Sequence, residues 1–253
     1  MRTRRFGRSC FNYLVSIDIQ IWSDIACPWC YIGKRRFERA LEQFPQRDQV
    51  TVTWRSFQLD PTLPERSDLD EVDYLVERKG MPREAVEQMM GEVVRQAAGE
   101  GLKYDFDSLV VANSRRAHRL LQAAKRADAL DGGSRGPALK EALLSAHFEH
   151  GENTGDAEVL VRHGVAAGLA ADDARAALDS DDLDASVEAD IREAAEIGVR
   201  GVPFFVFDNR YGVSGAQPTE LFLEVLEKVR SEKASPIITV DGAGEACGPD
   251  GCA

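Results

Sequence analysis

Ser23-Asp24-Ile25-Ala26-Cys27-Pro28-Trp29-Cys30-Tyr31-Ile32-Gly33 joins a strand pattern to a helix pattern, with two cysteines at the join. Upstream, Val15-Ser16-Ile17-Asp18-Ile19-Gln20-Ile21-Trp22 alternates apolar and polar residues, the period of a half-buried strand. Ser23 to Ala26 reads as a short turn with Asp24 exposed in it. Pro28 suits a first helical position, and Tyr31, Phe37, Ala40, Leu41 and Phe44 line one side of the helix that follows. Val50-Thr51-Val52-Thr53-Trp54-Arg55-Ser56-Phe57 alternates again. Strand, helix and strand in succession predict the start of a parallel-sheet unit.

The position of Cys27 carries chemistry. The first N–H groups of a helix lack helical partners, and with the helix dipole they favour a negative thiolate. Cys30 follows three residues on, one turn along the same face and within disulfide reach. The pattern predicts one exposed, acidic, nucleophilic thiol at Cys27 and a second at Cys30 that resolves a mixed disulfide from below. Pro28 restrains the turn between them. The competing reading is half of a structural zinc site, which needs two further ligands. His118, His147, His150 and His163 show no ligand-like spacing with the pair.

Further along, strand signals stop for more than a hundred residues. Val86, Met89, Met90, Val93, Val94 and Ala97 share a helical face, as do Ala117, Leu120, Leu121 and Ala124. Pro137 opens another helix, with Leu139, Ala142, Leu143 and Ala146 inward. Helices are also expected near 156–167, 171–179 and 184–197, the last closed by Gly198. Strand signals resume at Val202-Pro203-Phe204-Phe205-Val206-Phe207. Asp208-Asn209 marks a turn into Tyr211-Gly212-Val213-Ser214. Pro218 then begins a last amphipathic helix with Leu221, Val225, Leu226 and Val229 on one side. The expected division is a first strand–helix–strand part at 12–61, a helical domain at 62–185, a second part at 186–233 that returns to strands, and a tail at 234–253.

The chain has 253 residues, 43% hydrophobic and 29% charged, a globular balance. Its net charge of −12 repels phosphate backbones, which argues against a nucleic-acid partner. No apolar run approaches the roughly 18 residues that span a bilayer. Arg2, Arg4, Arg5 and Arg8 precede no uninterrupted apolar stretch, so neither a secretory nor a twin-arginine signal is expected. The expected location is the cytoplasm, without a membrane partner. Of the five cysteines, Cys27 with Cys30 and Cys247 with Cys252 form close pairs, whereas Cys10 has no assigned role. In a reducing compartment close pairs suggest redox chemistry or metal binding rather than a scaffold of disulfides.

The segment Ser23 to Gly33 resembles the active-site segment of the DsbA family, specifically its FrnE-type branch. The likeness covers nearly the whole chain, including the helical insertion and Gly198-Val199-Arg200-Gly201-Val202-Pro203-Phe204-Phe205. The resemblance implies an α/β thioredoxin fold interrupted by an all-helical insertion domain. It also implies that Val202-Pro203 is a cis peptide facing the cysteine pair, where the exposed backbone binds a substrate strand. Two departures stand out. Many thioredoxin-like proteins carry a buried acid six residues before the first cysteine; here that residue is Ile21, which leaves the proton acceptor for Cys30 unassigned. Pro28-Trp29 replaces the Pro-His of strongly oxidising periplasmic members. A His⁺ favours a thiolate and Trp29 cannot, so a less oxidising pair is expected.

Cys247 and Cys252 enclose Gly-Pro-Asp-Gly, which is turn chemistry. A disulfide closing so short a loop stabilises by only about 2 kcal/mol on the chain-entropy model, which suits an exchangeable bond better than a staple. A dozen extended residues from 234 onward span roughly 40 Å, enough to return to Cys27. The FrnE-type resemblance supports a second redox pair here.

The expected function is a thiol–disulfide oxidoreductase or disulfide isomerase acting on protein thiols or small thiols such as glutathione, with no cofactor and no bound metal. Cys27, Cys30, Val202 and Pro203 are its candidate catalytic residues, Pro28 and Trp29 modulators, and Cys247 and Cys252 a second pair. One alternative is a glutathione-dependent isomerase or transferase of the kappa or 2-hydroxychromene-2-carboxylate isomerase type. Those proteins generally use a lone serine or cysteine, so two retained cysteines argue against it. The other is a non-enzymatic four-cysteine metal-binding protein.

Overall fold

A computed structural model describes residues 16–233 and the backbone of two short strands, Cys247–Gly248 and Gly251–Cys252. Val15, Cys10 and the greater part of the tail lie outside the described residues. Strand β1 (Ile17–Ser23) leads through a turn into α1 (Pro28–Gln43), then into β2 (Val50–Ser56). β1 and β2 are parallel, with Ile17 opposite Val50 and Ser23 opposite Ser56. Seven helices follow: α2 (Glu71–Lys79), α3 (Arg83–Gly99), α4 (Arg115–Asp131), α5 (Arg135–His150), α6 (Ala157–Ala166), α7 (Ala171–Leu178) and α8 (Asp181–Glu196). The chain then returns as the hairpin β3 (Phe204–Phe207) and β4 (Tyr211–Ser214) and ends in α9 (Thr219–Lys233).

The four strands order as β2-β1-β3-β4, with β3 antiparallel to both of its neighbours. This is an α/β thioredoxin-like sheet with a helical insertion between β2 and β3. Asp208 and Asn209, with φ of 55 and 53, make the tight turn of the hairpin. The third strand starts at Phe204 rather than Val202, because Val202 and Pro203 bend toward the head of α1.

The alternation in β1 decides which face carries what. Ile17, Ile19 and Ile21 pack with Phe37 of α1 and Phe222 of α9, while Phe205 and Phe207 of β3 complete the same apolar layer. Phe205 and Phe222 lie 4.5 Å apart between ring centroids and Phe37 and Phe205 lie 5.5 Å apart. Burying each such ring contributes about 1.5–3 kcal/mol. Trp22 faces the other way, against Ala194 and Val199, and its indole N–H donates to the Asp190 carbonyl at 2.8 Å.

Asp190 fastens the insertion to the sheet. Its buried carboxylate accepts from the Ser56 N–H at 2.9 Å, Arg55 at 2.8 Å and the Gln122 amide at 2.6 Å. A separate apolar core fills the insertion, and Ile25, Tyr31 and Ile32 from the strand–helix junction enter it. The sequence reading did not resolve α2: none of its side chains is fully buried, and its start is set by Asp70, which accepts from the Asp73 N–H. Among the described residues no helix is long and apolar enough to cross a membrane.

Candidate active site

The turn after β1 delivers Cys27 to the N-cap of α1, with Pro28 in the first turn of the helix. The Cys27 carbonyl accepts from the Cys30 N–H at 3.0 Å, which sets the two cysteines one turn apart. Both are free thiols. Cys30 is fully enclosed. Cys27 is also buried, at 4% exposure, which corrects the expectation of an exposed thiol: the Val202 segment and the insertion roof it over. The Cys27 thiol donates to the Val202 carbonyl oxygen at 3.3 Å, and Val202-Pro203 is cis. The Pro203 carbonyl accepts from the Gly215 N–H at 2.8 Å, and the Pro203 ring lies close against Gly33 of α1. Trp29 is half-buried against the core of the insertion. The fold thus brings Cys27, Pro28, Trp29, Cys30, Val202 and Pro203 together. In the described backbone of the tail Cys247 pairs with Cys252, while their side chains lie outside the described residues.

The two thiols titrate as a pair. The first proton leaves below the ordinary thiol value because the remaining S–H stabilises the thiolate, and for the same reason the second leaves far above it. At Cys30, burial opposes ionisation. The Cys27 thiol, the charge of Lys140, the Ser23 hydroxyl and the Asp24 backbone more than offset it. At Cys27, the hydrogen bond with Cys30 and then burial push the thiol up. In this reduced arrangement the lower value falls on Cys30, the reverse of the expectation from sequence. The Cys27 side chain makes no capping bond to a helix N–H; it turns to Val202 instead. What separates the two sulfurs is access: Cys27 lines a cavity and Cys30 does not.

Asp24 also departs from the sequence reading. It is buried, at 1% exposure, rather than exposed in the turn. Its carboxylate accepts from Leu59 N–H at 2.7 Å, Ala26 N–H at 3.3 Å and His118 Nε2 at 3.1 Å. Burial raises its carboxyl, but His118, Leu59 and Ser114 together hold it below the usual carboxylate value. A turn residue becomes buried here because a loop and a helix from the insertion close over it, a contact between residues 94 apart in sequence. No local signal reports such a contact. Lys140 was missed for the same reason. It sits inside a helix among apolar neighbours and is 1% exposed. His147 is also buried near Asp24, and burial lowers it to about 4. Among the described residues no three His, Cys, Asp or Glu side chains converge on a metal position.

The cavity beside Cys27 has a volume of about 510 Å³. One wall is the head of α1 with the Val202 segment; the opposite wall is α2 and α3. Leu59, Leu63, Leu75, Met89, Met90 and Phe106 make it apolar. Asp60 lines it as well, held by Tyr74 at 3.0 Å and Arg78 at 3.0 Å. Glu71 also lines it, its carboxyl pushed up to about 7 by burial and by Asp70.

Such a sheet, split by helices and carrying a dithiol at the head of its first helix, defines a thioredoxin-like protein. The chain belongs to the DSBA-like thioredoxin domain family, whose model matches residues 18–227. Among solved structures it is similar to a probable DsbA oxidoreductase from Streptomyces coelicolor, at 43% identity and a TM-score of 0.80, covering 94% of this chain and 98% of that one. The cytosolic disulfide reductase DsbM from Pseudomonas aeruginosa shares the fold, at 21% identity and a TM-score of 0.61, covering 85% of this chain and 99% of that one. Among curated proteins, the uncharacterized protein YwbO from Bacillus subtilis is 21% identical over 220 residues, 87% of this chain and 100% of that one.

Proposed function

We propose that the protein is a thiol–disulfide oxidoreductase in which Cys27 attacks and Cys30 resolves. The observation that carries this reading is the pair itself. Two free thiols sit one turn apart at the head of α1, with one of them on the wall of a cavity under a backbone carbonyl. Membership of the DSBA-like family and the likeness to the 43% identical probable DsbA oxidoreductase support it. A substrate disulfide entering the cavity meets Cys27 first. The thiolate attacks one substrate sulfur, the substrate S–S bond breaks, and a mixed disulfide forms at Cys27. Cys30 then attacks the Cys27 sulfur, closing the Cys27–Cys30 bond and releasing the second substrate thiol. Two electrons pass from the dithiol to the substrate; the reverse sequence oxidises a substrate dithiol.

In this reading Val202 and Pro203 offer backbone to the bound chain, Pro28 restrains the redox turn, and Trp29 tunes it. The insertion, taken as 62–185 between the thioredoxin-like parts 12–61 and 186–233, roofs the site and limits access. Protein thiols are the substrates, with glutathione as a small-thiol partner; a DsbM structure holds glutathione on the same fold. The reaction is placed in the cytoplasm, and the protein in the FrnE-type branch, with Cys247 and Cys252 exchanging disulfides with the first pair. A Cys247→Ser/Cys252→Ser variant with unchanged turnover and potential removes that last element.

The test is trapping. A Cys30→Ser variant incubated in cell extract accumulates mixed disulfides at Cys27, released by dithiothreitol and identified by mass spectrometry. The wild type reduces insulin and forms an internal Cys27–Cys30 disulfide on titration with glutathione. A Cys30→Ser variant that traps nothing, with no internal disulfide in the wild type, refutes the assignment.

A further inference from the structure

Resolution by Cys30 needs somewhere for its proton to go. Position 21, six residues before Cys27, is an isoleucine buried in the apolar layer under the sheet, so β1 offers no acid there. The Ser23 hydroxyl acts on Cys30 and has no other hydrogen-bond partner among the described residues, but a hydroxyl relays a proton without keeping it.

A second cavity of about 200 Å³ lies between β2 and the helices α4 and α5. Ser56, His118, Gln122, Lys125 and Lys140 are among its polar lining. Two of these connect it to the redox site. His118 holds Asp24, and Asp24 lines the larger cavity next to Cys27, so the pair forms a partition between the two spaces. Lys140 is buried at the first turns of α5. It has no hydrogen bond or ion pair among the described residues; its ammonium stands 5.6 Å from the ring centroid of Trp54. A buried ammonium without an acceptor is costly unless it neutralises or finds a negative partner. Its strongest electrostatic partner is Cys30, followed by Asp24 and Cys27, and burial lowers it to about 8. A lysine of that kind exists as amine and as ammonium near neutral pH, which is what a proton store requires.

We propose that Lys140, supplied by the helical insertion, holds the proton that Cys30 gives up during resolution, and that the small cavity is its exchange route to solvent. The proposal deepens the redox reading given above and rests on it. The Cys30 S–H proton passes to the Lys140 amine. The freed thiolate attacks the Cys27 sulfur, the Cys27–Cys30 bond forms, and the bond from Cys27 to the substrate sulfur breaks. The substrate sulfur leaves with the electron pair and takes a proton from water in the larger cavity, while the Lys140 ammonium gives its proton to solvent through the small cavity and returns to the amine. Lys140 exchanges its proton with Cys30 and does not contact substrate. The groups facing it are Cys27, Cys30, Asp24 and Lys34 from the β1–α1 segment, Trp54 from β2 and His118 from α4. Arg55, Lys125 and Asp128 share the small cavity, and His147 faces Asp24.

The test uses the full chain with Cys10, Cys247 and Cys252 replaced by serine, mixed in stopped flow with dithiobis(nitrobenzoate) between pH 5 and pH 9. The first chromophoric thiolate reports attack by Cys27 and the second reports resolution by Cys30. In the parent protein the second phase shows an inflection near pH 8 that the first lacks. Lys140→Met slows the second phase about 100-fold at pH 7 and removes that inflection, with a much smaller change in the first. Lys140→Arg keeps a positive charge that does not deprotonate, and it leaves resolution slow. Three results overturn the proposal: an unchanged second phase in Lys140→Met, full rescue by Lys140→Arg, or a parent second phase without the inflection. The last needs no substitution and holds even if the variants fail to fold. A parent protein with no second phase refutes the redox reading itself, which is a different outcome.

Discussion

Replacing Gly33 by alanine tests how the Pro203 segment is held over Cys27. Gly33 lies on the inner side of α1, five residues past the helix start, and a Cβ added there falls 2.9 Å from Cγ of Pro203 and 3.4 Å from Cβ of Ala216. Contacts become ordinary from 3.4 Å, so the proline must retreat by about half an ångström. Its ring is not the flexible end of a side chain, and its carbonyl is tied to the Gly215 N–H. Two effects compete. Alanine favours the helix by up to about 1 kcal/mol over glycine. Overpacking a filled contact costs about 1–3 kcal/mol. The second is the larger, so Gly33→Ala lowers stability by about 0–2 kcal/mol, read as a shift in the urea midpoint at constant slope. The retreat of Pro203 also carries the Val202 carbonyl away from the Cys27 thiol, a contact of only 3.3 Å. The rate of Cys27 alkylation and the insulin-reduction rate therefore change together, while the fold remains. A variant that is more stable than the parent, with both rates unaltered, refutes the claim that Gly33 sets the spacing between the helix and the proline segment.

Trp22→Phe removes the donor to the buried Asp190 carbonyl and part of the packing between β1 and α8; a loss of about 1–3 kcal/mol is expected in urea unfolding. Glu141→Gln breaks a cluster in which one carboxylate accepts from Lys34 at 2.6 Å, from Tyr31 at 2.6 Å and from Arg35. Burial raises the Glu141 carboxyl, yet Arg35, Lys34 and Tyr31 pull it down to about 2. A depressed carboxyl stabilises the fold above its unfolded value and loses that contribution as pH falls through the folded value. The parent therefore exceeds Glu141→Gln by about 1–2 kcal/mol at pH 7, after allowance for screening of a partly exposed group. The gap closes between about pH 4.5 and pH 2, followed by thermal melts across that range. Trp29→His introduces a cation beside the pair, and a tenfold gain in thiolate stability raises the reduction potential by about 30 mV. Titration against glutathione measures it; a potential unchanged or lowered in Trp29→His sinks the modulating role given to Trp29.

Sequence made the periodic and locally capped parts of this molecule legible. The alternation of Ile17, Ile19 and Ile21 located β1 and its buried face, against which Phe37 and Phe205 pack; on α9 it is Phe222 that turns inward, whereas Leu221, expected there, is exposed. Pro28 placed the helix start, and Asp208-Asn209 placed the hairpin, because both signals act through the residue's own backbone. The α2 helix escaped because a half-exposed helix has little apolar stripe to read. Of the candidate site, Cys27, Cys30, Val202 and Pro203 were named in advance by motif and resemblance. Asp24 was misjudged and Lys140 was missed, and both failures share one cause. Their environments are made by chain that is distant in sequence: His118 closes on Asp24 from α4, and Lys140 comes to the redox site on α5.

That pattern bears on what the insertion is for. Were it only a roof over Cys27, apolar side chains such as Leu75, Met89 and Met90 of α2 and α3 would serve. In addition, α4 and α5 bury His118 and Lys140 on the wall of the smaller cavity, which neither cysteine lines. Leaving Lys140 without an acceptor is unfavourable in a core where leucine fits the same helical face, with Leu139, Leu143 and Leu144 as its neighbours. Short of neutralising, the ammonium gains most from a negative charge nearby, and the Cys30 thiolate is the strongest such charge it meets, ahead of Asp24. Lys140→Leu accordingly stabilises the oxidised protein, in which the thiolate is gone, more than the reduced one. Comparing urea unfolding of the two redox forms reads that difference directly, and equal shifts in both forms mean the lysine does not sense the dithiol.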